Sequence, residues 1–296
     1  MSGTRVGCRA QVTLAAIMIG SIAAGWAPPG AGQEATVQKA ASGQDVTRAP
    51  GVTDATIGIY QERQVTVPDE SAKATFRYRV LAPADVRPGR RYPVVLFLHG
   101  AGERGADNLR QLKYLPAWMA EPAMRDKYPC YLIAPQCREG RQWVDVNWSD
   151  RESSPQPQRP GADLAAAIAA LDAVLEQDAC DPERIYLTGL SMGGYGTWDL
   201  AARMPDRFAA AVPVCGGGDE KTAPRLVGLP LWAFHGDADK AVPVERSRTM
   251  IAALKAAGGS PRYSELPGVG HDSWTPAYRD PAVLEWLFSQ RRRAPR

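Results

Sequence analysis

The chain is expected to fold as an α/β protein, with a mainly parallel central sheet, helices on both faces and an antiparallel strand pair at its N-terminal side. Three observations predict this. Unbroken apolar runs recur at 92–98, 131–134, 185–187, 209–214 and 231–234, the pattern of strands covered on both faces. Helical patterns lie between them at 109–124, 162–177, 195–203 and 244–257, and such alternation implies a parallel sheet built from crossovers. Strands at 57–67 and 73–81 come first. In the second, Phe76, Tyr78 and Val80 alternate with Arg77 and Arg79, which suits an antiparallel pair with one wet face.

At 296 residues a single domain is expected, spanning 57–290. Ahead of it, Arg5 and Arg9 precede an apolar stretch at 12–27, broken by Gly20 and Gly25 and followed by Pro28 and Pro29. This is the pattern of a secretory signal peptide over 1–32, cleaved between Ala27 and Gln33, with an uncleaved anchor as the alternative. The mature protein would be secreted or periplasmic. Residues 33–56 lack apolar periodicity and read as a flexible lead-in, and 291–296 as a solvated basic tail.

The formal charge of +3 belongs to the ends. Setting aside Arg5, Arg9 and the four arginines of 291–296 leaves 29 basic residues against 32 acidic, so the body offers no footprint for nucleic acid. Cys130, Cys137, Cys180 and Cys215 follow the apolar leader. Export permits disulfides, and buried free thiols are the equal alternative. No cysteine or histidine spacing resembles a metal site, and no cofactor is expected.

Residues 184–198 carry the most specific signal. A short strand, Ile185, Tyr186 and Leu187, leads into Gly189-Leu190-Ser191-Met192-Gly193 and then a helix. A serine at the tip of a sharp strand-to-helix turn has strained dihedrals, and its neighbours two positions away press together, so only very small residues fit there. The helix start offers amides that can stabilise developing negative charge.

A serine hydroxyl needs a base, and the base needs an orienting group. Of three histidines, His99 and His235 end apolar runs, whereas His271 lies in a loop, Pro267-Gly-Val-Gly-His-Asp-Ser-Trp274, after a last strand at 262–266. His271 is the base candidate. The stretch Phe234-His-Gly-Asp-Ala-Asp-Lys-Ala-Val-Pro243 supplies two aspartates. Asp239 is the acid candidate, and Asp237, nearer the strand, is the alternative or a turn-stabilising residue.

Ser191, Asp239 and His271 in that chain order, with the glycine-flanked serine, resemble the α/β-hydrolase superfamily over about residues 57–289. His235-Gly-Asp-Ala-Asp239 with Val242-Pro243 is similar to the acid loop of carboxylesterases, dienelactone hydrolases and prolyl-oligopeptidase-like enzymes, in which the second aspartate acts. His99-Gly-Ala-Gly-Glu-Arg-Gly105 resembles the loop after the third strand in secreted bacterial esterases similar to feruloyl esterases and polyhydroxybutyrate depolymerases. The resemblance implies an oxyanion hole from the Met192 amide and that of Ala101 or Gly102. It implies a serine carboxylesterase acting on hydroxycinnamoyl, acetyl or polymeric esters. A prolyl-oligopeptidase-like peptidase and a catalytically silent binding scaffold are the alternatives.

Substrate contacts are less visible. No large lid is expected, because only 216–228 separates two strands where many lipases carry one. The irregular stretch 137–160 is expected to wall the site, with Trp143 and Trp148 there and Trp274 beyond the base either contacting substrate or filling the core. Arg104 either pairs with Glu103 to brace its loop or touches substrate.

Overall fold

The apolar runs form the middle of an eight-stranded sheet of order β1-β2-β4-β3-β5-β6-β7-β8. The computed structural model describes residues 51–69 and 72–292; the expected signal peptide and most of the expected lead-in lie outside the described residues. In chain order the elements are α1 (Asp54–Ile59), β1 (Tyr60–Asp69), β2 (Ala72–Leu81), β3 (Tyr92–Leu98), α2 (Leu115–Met119), α3 (Pro122–Lys127), β4 (Tyr131–Pro135) and α4 (Ala162–Gln177). There follow β5 (Cys180–Leu190), α5 (Met192–Arg203), β6 (Ala210–Val214), β7 (Trp232–Gly236), α6 (Glu245–Ala256), β8 (Arg262–Leu266), α7 (Trp274–Arg279) and α8 (Pro281–Ser289). The pairs β1/β2 and β2/β4 are antiparallel, and every pair from β4 across to β8 is parallel.

Why β3 reads as unbroken apolar sequence is visible in its packing. Val94, Leu96 and Leu98 enter the core on one face, with Leu164, Leu171 and Ala201 from α4 and α5. Val95 and Phe97 enter the core on the other, with Leu115, Tyr278 and Leu284 from α2, α7 and α8. A strand sandwiched this way has no wet side. By contrast Arg77 and Glu62, on β2 and β1, stay exposed beside one another.

Several elements differ from expectation. Residues 57–59 close a helix, α1, whose Thr53 hydroxyl caps the Thr56 amide, and the strand begins only at Tyr60. The expected helix at 109–124 is broken into a 3-10 turn, α2 and α3, because Pro116 and Pro122 fit only in a first turn and Tyr114 has φ +63°. The expected tail is held at its start. Arg291 reaches Glu183 at 3.2 Å, and the Arg292 amide donates to the Glu183 carbonyl at 2.7 Å. All four cysteines from Cys130 onward are buried free thiols.

Two contacts fix where the loops of the sheet's C-terminal edge stand. A methyl group on Gly193 would sit 1.9 Å from the Leu98 carbonyl oxygen, and one on Gly189 2.4 Å from that of Gly193, so the start of α5 lies backbone to backbone on the ends of β3 and β5. The second contact is His99, 1 % exposed, whose Nδ1–H donates to the Gly100 carbonyl at 2.7 Å while Nε2 accepts the Cys137 amide at 2.9 Å. Trp143, also buried, stands edge-on to that ring and donates to the His99 carbonyl at 2.9 Å. The two loops are thereby joined through one imidazole.

Gly193→Ala should lower stability by about 3 kcal/mol, because the clash is with backbone that cannot step aside; urea unfolding reads this directly. Burial pushes the His99 ring down from 6.5 to about 4. An unfolded chain therefore binds a proton that the folded one refuses between those values, and stability must fall as pH drops through that window. The loss should reach about 3 kcal/mol at pH 4. Unfolding midpoints measured from pH 7 to 4 should show this slope in the wild type and less of it in His99→Gln.

Candidate active site

Ser191 joins β5 to α5 at φ +54° and ψ −118°, with its amide donating to the Val214 carbonyl of β6 at 2.9 Å. A non-glycine residue there is strained, and the glycine contacts below it are what hold the turn closed. Its Oγ lies 2.9 Å from His271 Nε2, and His271 Nδ1 lies 2.7 Å from Asp239 Oδ2. The structure brings these three side chains into one hydrogen-bonded chain although they are 80 and 32 residues apart in sequence.

The carboxylate is fully saturated. Asp239 Oδ1 accepts the Ala241 and Val242 amides at 2.8 and 3.0 Å, and its side chain has no exposure. Oδ2 also faces His235 Nε2 at 3.3 Å. That nitrogen faces the Val242 carbonyl as well, at 3.1 Å, and so carries a proton, while Nδ1 lies 2.7 Å from Ser247 Oγ, whose hydroxyl donates to the Gly216 carbonyl at 3.0 Å. Burial alone would raise the Asp239 carboxyl. The bonds from His235 and His271, with the Val242 amide, outweigh it and hold the group well below the usual carboxylate range. Asp237 serves the turn instead, accepting the Gly268 amide at 2.7 Å.

His235 is a member that sequence reasoning left out. Its spacing of four from Asp239 was the available signal, and only the fold shows that the ring turns back onto the carboxylate. Cys215 is another. Fully buried at φ +39°, it brings Sγ within 4.8 Å of the Asp239 oxygen and a His271 nitrogen. Burial pushes its thiol up to about 12, so the atom behind the pair is neutral.

Ala101 and Gly102 begin a short 3-10 turn after β3, and Met192 is the first residue of α5. A methyl group on Gly100 would meet the Leu190 side chain at 2.8 Å, so this loop lies against the elbow. Arg104 does not pair with Glu103. Its guanidinium donates to the Ala101 carbonyl at 2.9 Å and to that of Arg141 at 3.3 Å, bracing the loop through backbone. Glu103 is buried, and burial raises its carboxyl.

Of the tryptophans, Trp143 is core and loop support, the core-filling one of its two expected places. Trp148 is half-buried, and its carbonyl accepts the Tyr195 hydroxyl at 3.0 Å. Trp274 is half-buried edge-on to His271, ring centres 5.2 Å apart. The irregular stretch 137–160 is fastened along its length. Arg246, 3 % exposed, donates to the carbonyls of Asp150 and Glu152, Arg203 to that of Pro157 at 2.6 Å, and the Gln156 amide to Asp219 at 2.9 Å. Between β6 and β7 there is one 3-10 stretch, Glu220–Leu226, and no large lid.

Residues 150–281 match the model of the Dienelactone hydrolase family. A solved thermostable esterase superposes with a TM-score of 0.72 at 40% identity, covering 80% of this chain and 64% of that one. A poly(3-hydroxyalkanoate) depolymerase C of Paucimonas lemoignei is 29% identical over 42% of this chain and 28% of its own. An uncharacterized secreted protein of Arthroderma benhamiae is 24% identical over 61% of this chain. The chain spans 21% and 28% of the length of these two curated relatives. The fold is that of the α/β-hydrolases, and residues 150–281 are similar to the Dienelactone hydrolase family.

Proposed function

We propose that this protein is a serine hydrolase of carboxylic esters that works through an acyl-enzyme. The observation that carries the reading is the continuous bonding from Ser191 Oγ through His271 to Asp239 at 2.9 and 2.7 Å, set on a strained elbow. The family match and the likeness to an esterase at 40% identity support the same chemistry.

Ser191 attacks the ester carbonyl as His271 Nε2 removes its proton. The amides of Met192 and of Ala101 or Gly102 hold the oxyanion, and the glycine at 102 leaves the main chain open to it, since a methyl group there would meet nothing within 4 Å. His271 then gives its proton to the departing alcohol, and water repeats the sequence on the acyl group. Asp239, kept ionised by its bonds, fixes the imidazole tautomer with Nδ1–H inward and stabilises the imidazolium.

The substrate is a small or polymeric ester, admitted without a helical lid. Export through an N-terminal signal peptide belongs to the same reading; the leader-like pattern of 1–32 and the likeness to a secreted protein of Arthroderma benhamiae support it.

Hydrolysis of 4-nitrophenyl acetate by the full chain tests the reaction. Ser191→Ala should lower kcat by at least about 10⁴-fold and Asp239→Asn by about 10⁴-fold, with unfolding temperatures near the wild type. Equal turnover by Ser191→Ala and wild type would sink the serine mechanism.

A further inference from the structure

We propose that Tyr114 and Trp274 form a subsite for a planar aromatic group on the leaving-alcohol side of the ester, a specificity that rests on the ester-hydrolase reading above. Tyr114 is where the backbone is least expected to hold a large side chain. It has φ +63° and ψ −123°, close to the +54° and −118° of Ser191, and it stands directly before α2 as Ser191 stands before α5. Glycine would adopt this conformation freely, whereas an aromatic residue is strained. Strain of this kind persists where the side chain is needed in that place.

What the ring does there follows from its neighbours. Half-buried, it lies 5.3 Å from the Trp274 ring at a tilt of 57°, and Lys113 Nζ sits 4.6 Å above it. Trp274 in turn stands edge-on to His271 at 5.2 Å. Its Nε1–H is buried without an acceptor. The aromatic surface therefore begins at the base itself.

Direction comes from the chemistry. His271 must protonate the leaving oxygen, so the alcohol departs past the imidazole. The first side chain packed on that imidazole is Trp274 and the next is Tyr114. Two rings inclined to each other accept a third in offset or edge-to-face contact, with an increment that corresponds to about tenfold in binding.

The test compares kcat/KM for benzyl acetate, ethyl acetate and methyl benzoate. The first two share an acyl group and differ in the alcohol; the third carries its ring on the acyl side. Wild type should favour benzyl over ethyl acetate. Tyr114→Ala should reduce that preference about tenfold, leave ethyl acetate and methyl benzoate within about twofold, and Tyr114→Phe should retain it. Tyr114→Gly should unfold at or above the temperature of Tyr114→Ala, because strain is relieved.

An equal fall on all three esters, or a lower unfolding temperature for Tyr114→Gly than for Tyr114→Ala, would make Tyr114 a packing residue and overturn the subsite. A loss confined to methyl benzoate would overturn its assignment to the alcohol side. A wild type inert on every ester, 4-nitrophenyl acetate included, would sink the ester reading itself. Activity on ethyl acetate without a benzyl preference removes only the subsite.

Discussion

The approach of α5 to the end of β3 is the contact on which the site depends. Leu98 and Gly189 are register partners on adjacent parallel strands, so the loops leaving β3 and β5 start side by side. The first turn of α5 can lie over that point only because Gly193 presents no side chain to the Leu98 carbonyl. Without this approach the helix would stand off the sheet, and the serine would lose both its strained geometry and its neighbour loop. A cost of about 1–3 kcal/mol for the Ser191 backbone is sustained by the packing of two buried strands and a helix that is buried along most of its length.

The acid is governed by the saturation of its oxygens. Two amides and two imidazoles surround Asp239, and each supplies a donor to an oxygen that burial would otherwise neutralise. His235 keeps its proton on the inner nitrogen because a carbonyl faces it too. The arrangement leaves a full negative charge next to His271 while the nearby thiol of Cys215 adds none. The sheet edge thus holds a charged group and a neutral one within a few ångström, and their separation of roles comes from hydrogen bonding on one side and its scarcity on the other.

The elbow, the acid loop and the base loop were legible in sequence because each is a local constraint with few solutions. Glycines at 189 and 193 have steric reasons that no other residue satisfies, and the parallel centre of the sheet follows from apolar runs that strands covered on both faces require. Of what was missed, part lay in local signals and part in contacts across the fold. Nothing in the run 57–59 distinguishes a capped helical turn from a strand end until the cap at Thr53 is considered. The breaks at Pro116 and Pro122 were readable, and the pattern of apolar residues obscured them. The helix at 281–289 had its own signals in Asp280 and Pro281. Trp143 could not be placed from its surroundings in sequence, because its burial is set by a carbonyl 44 residues away.

The stretch expected to wall the site and the aromatic surface beside His271 are held by unlike means. The stretch 137–160 has little regular structure, yet guanidinium donors from α5 and α6 take up its carbonyls, and each such charge-assisted bond fixes a point of chain that has no ladder of its own. On the His271 side the surface is aromatic and is placed by a strained backbone at Tyr114. Removing one donor from the first leaves others to hold the chain. Removing the ring from the second leaves the backbone strain with no side chain to justify it. Sensitivity to single substitutions should therefore be concentrated at Tyr114 and Trp274, and spread thinly over the wall that Arg246, Arg203 and Gln156 share.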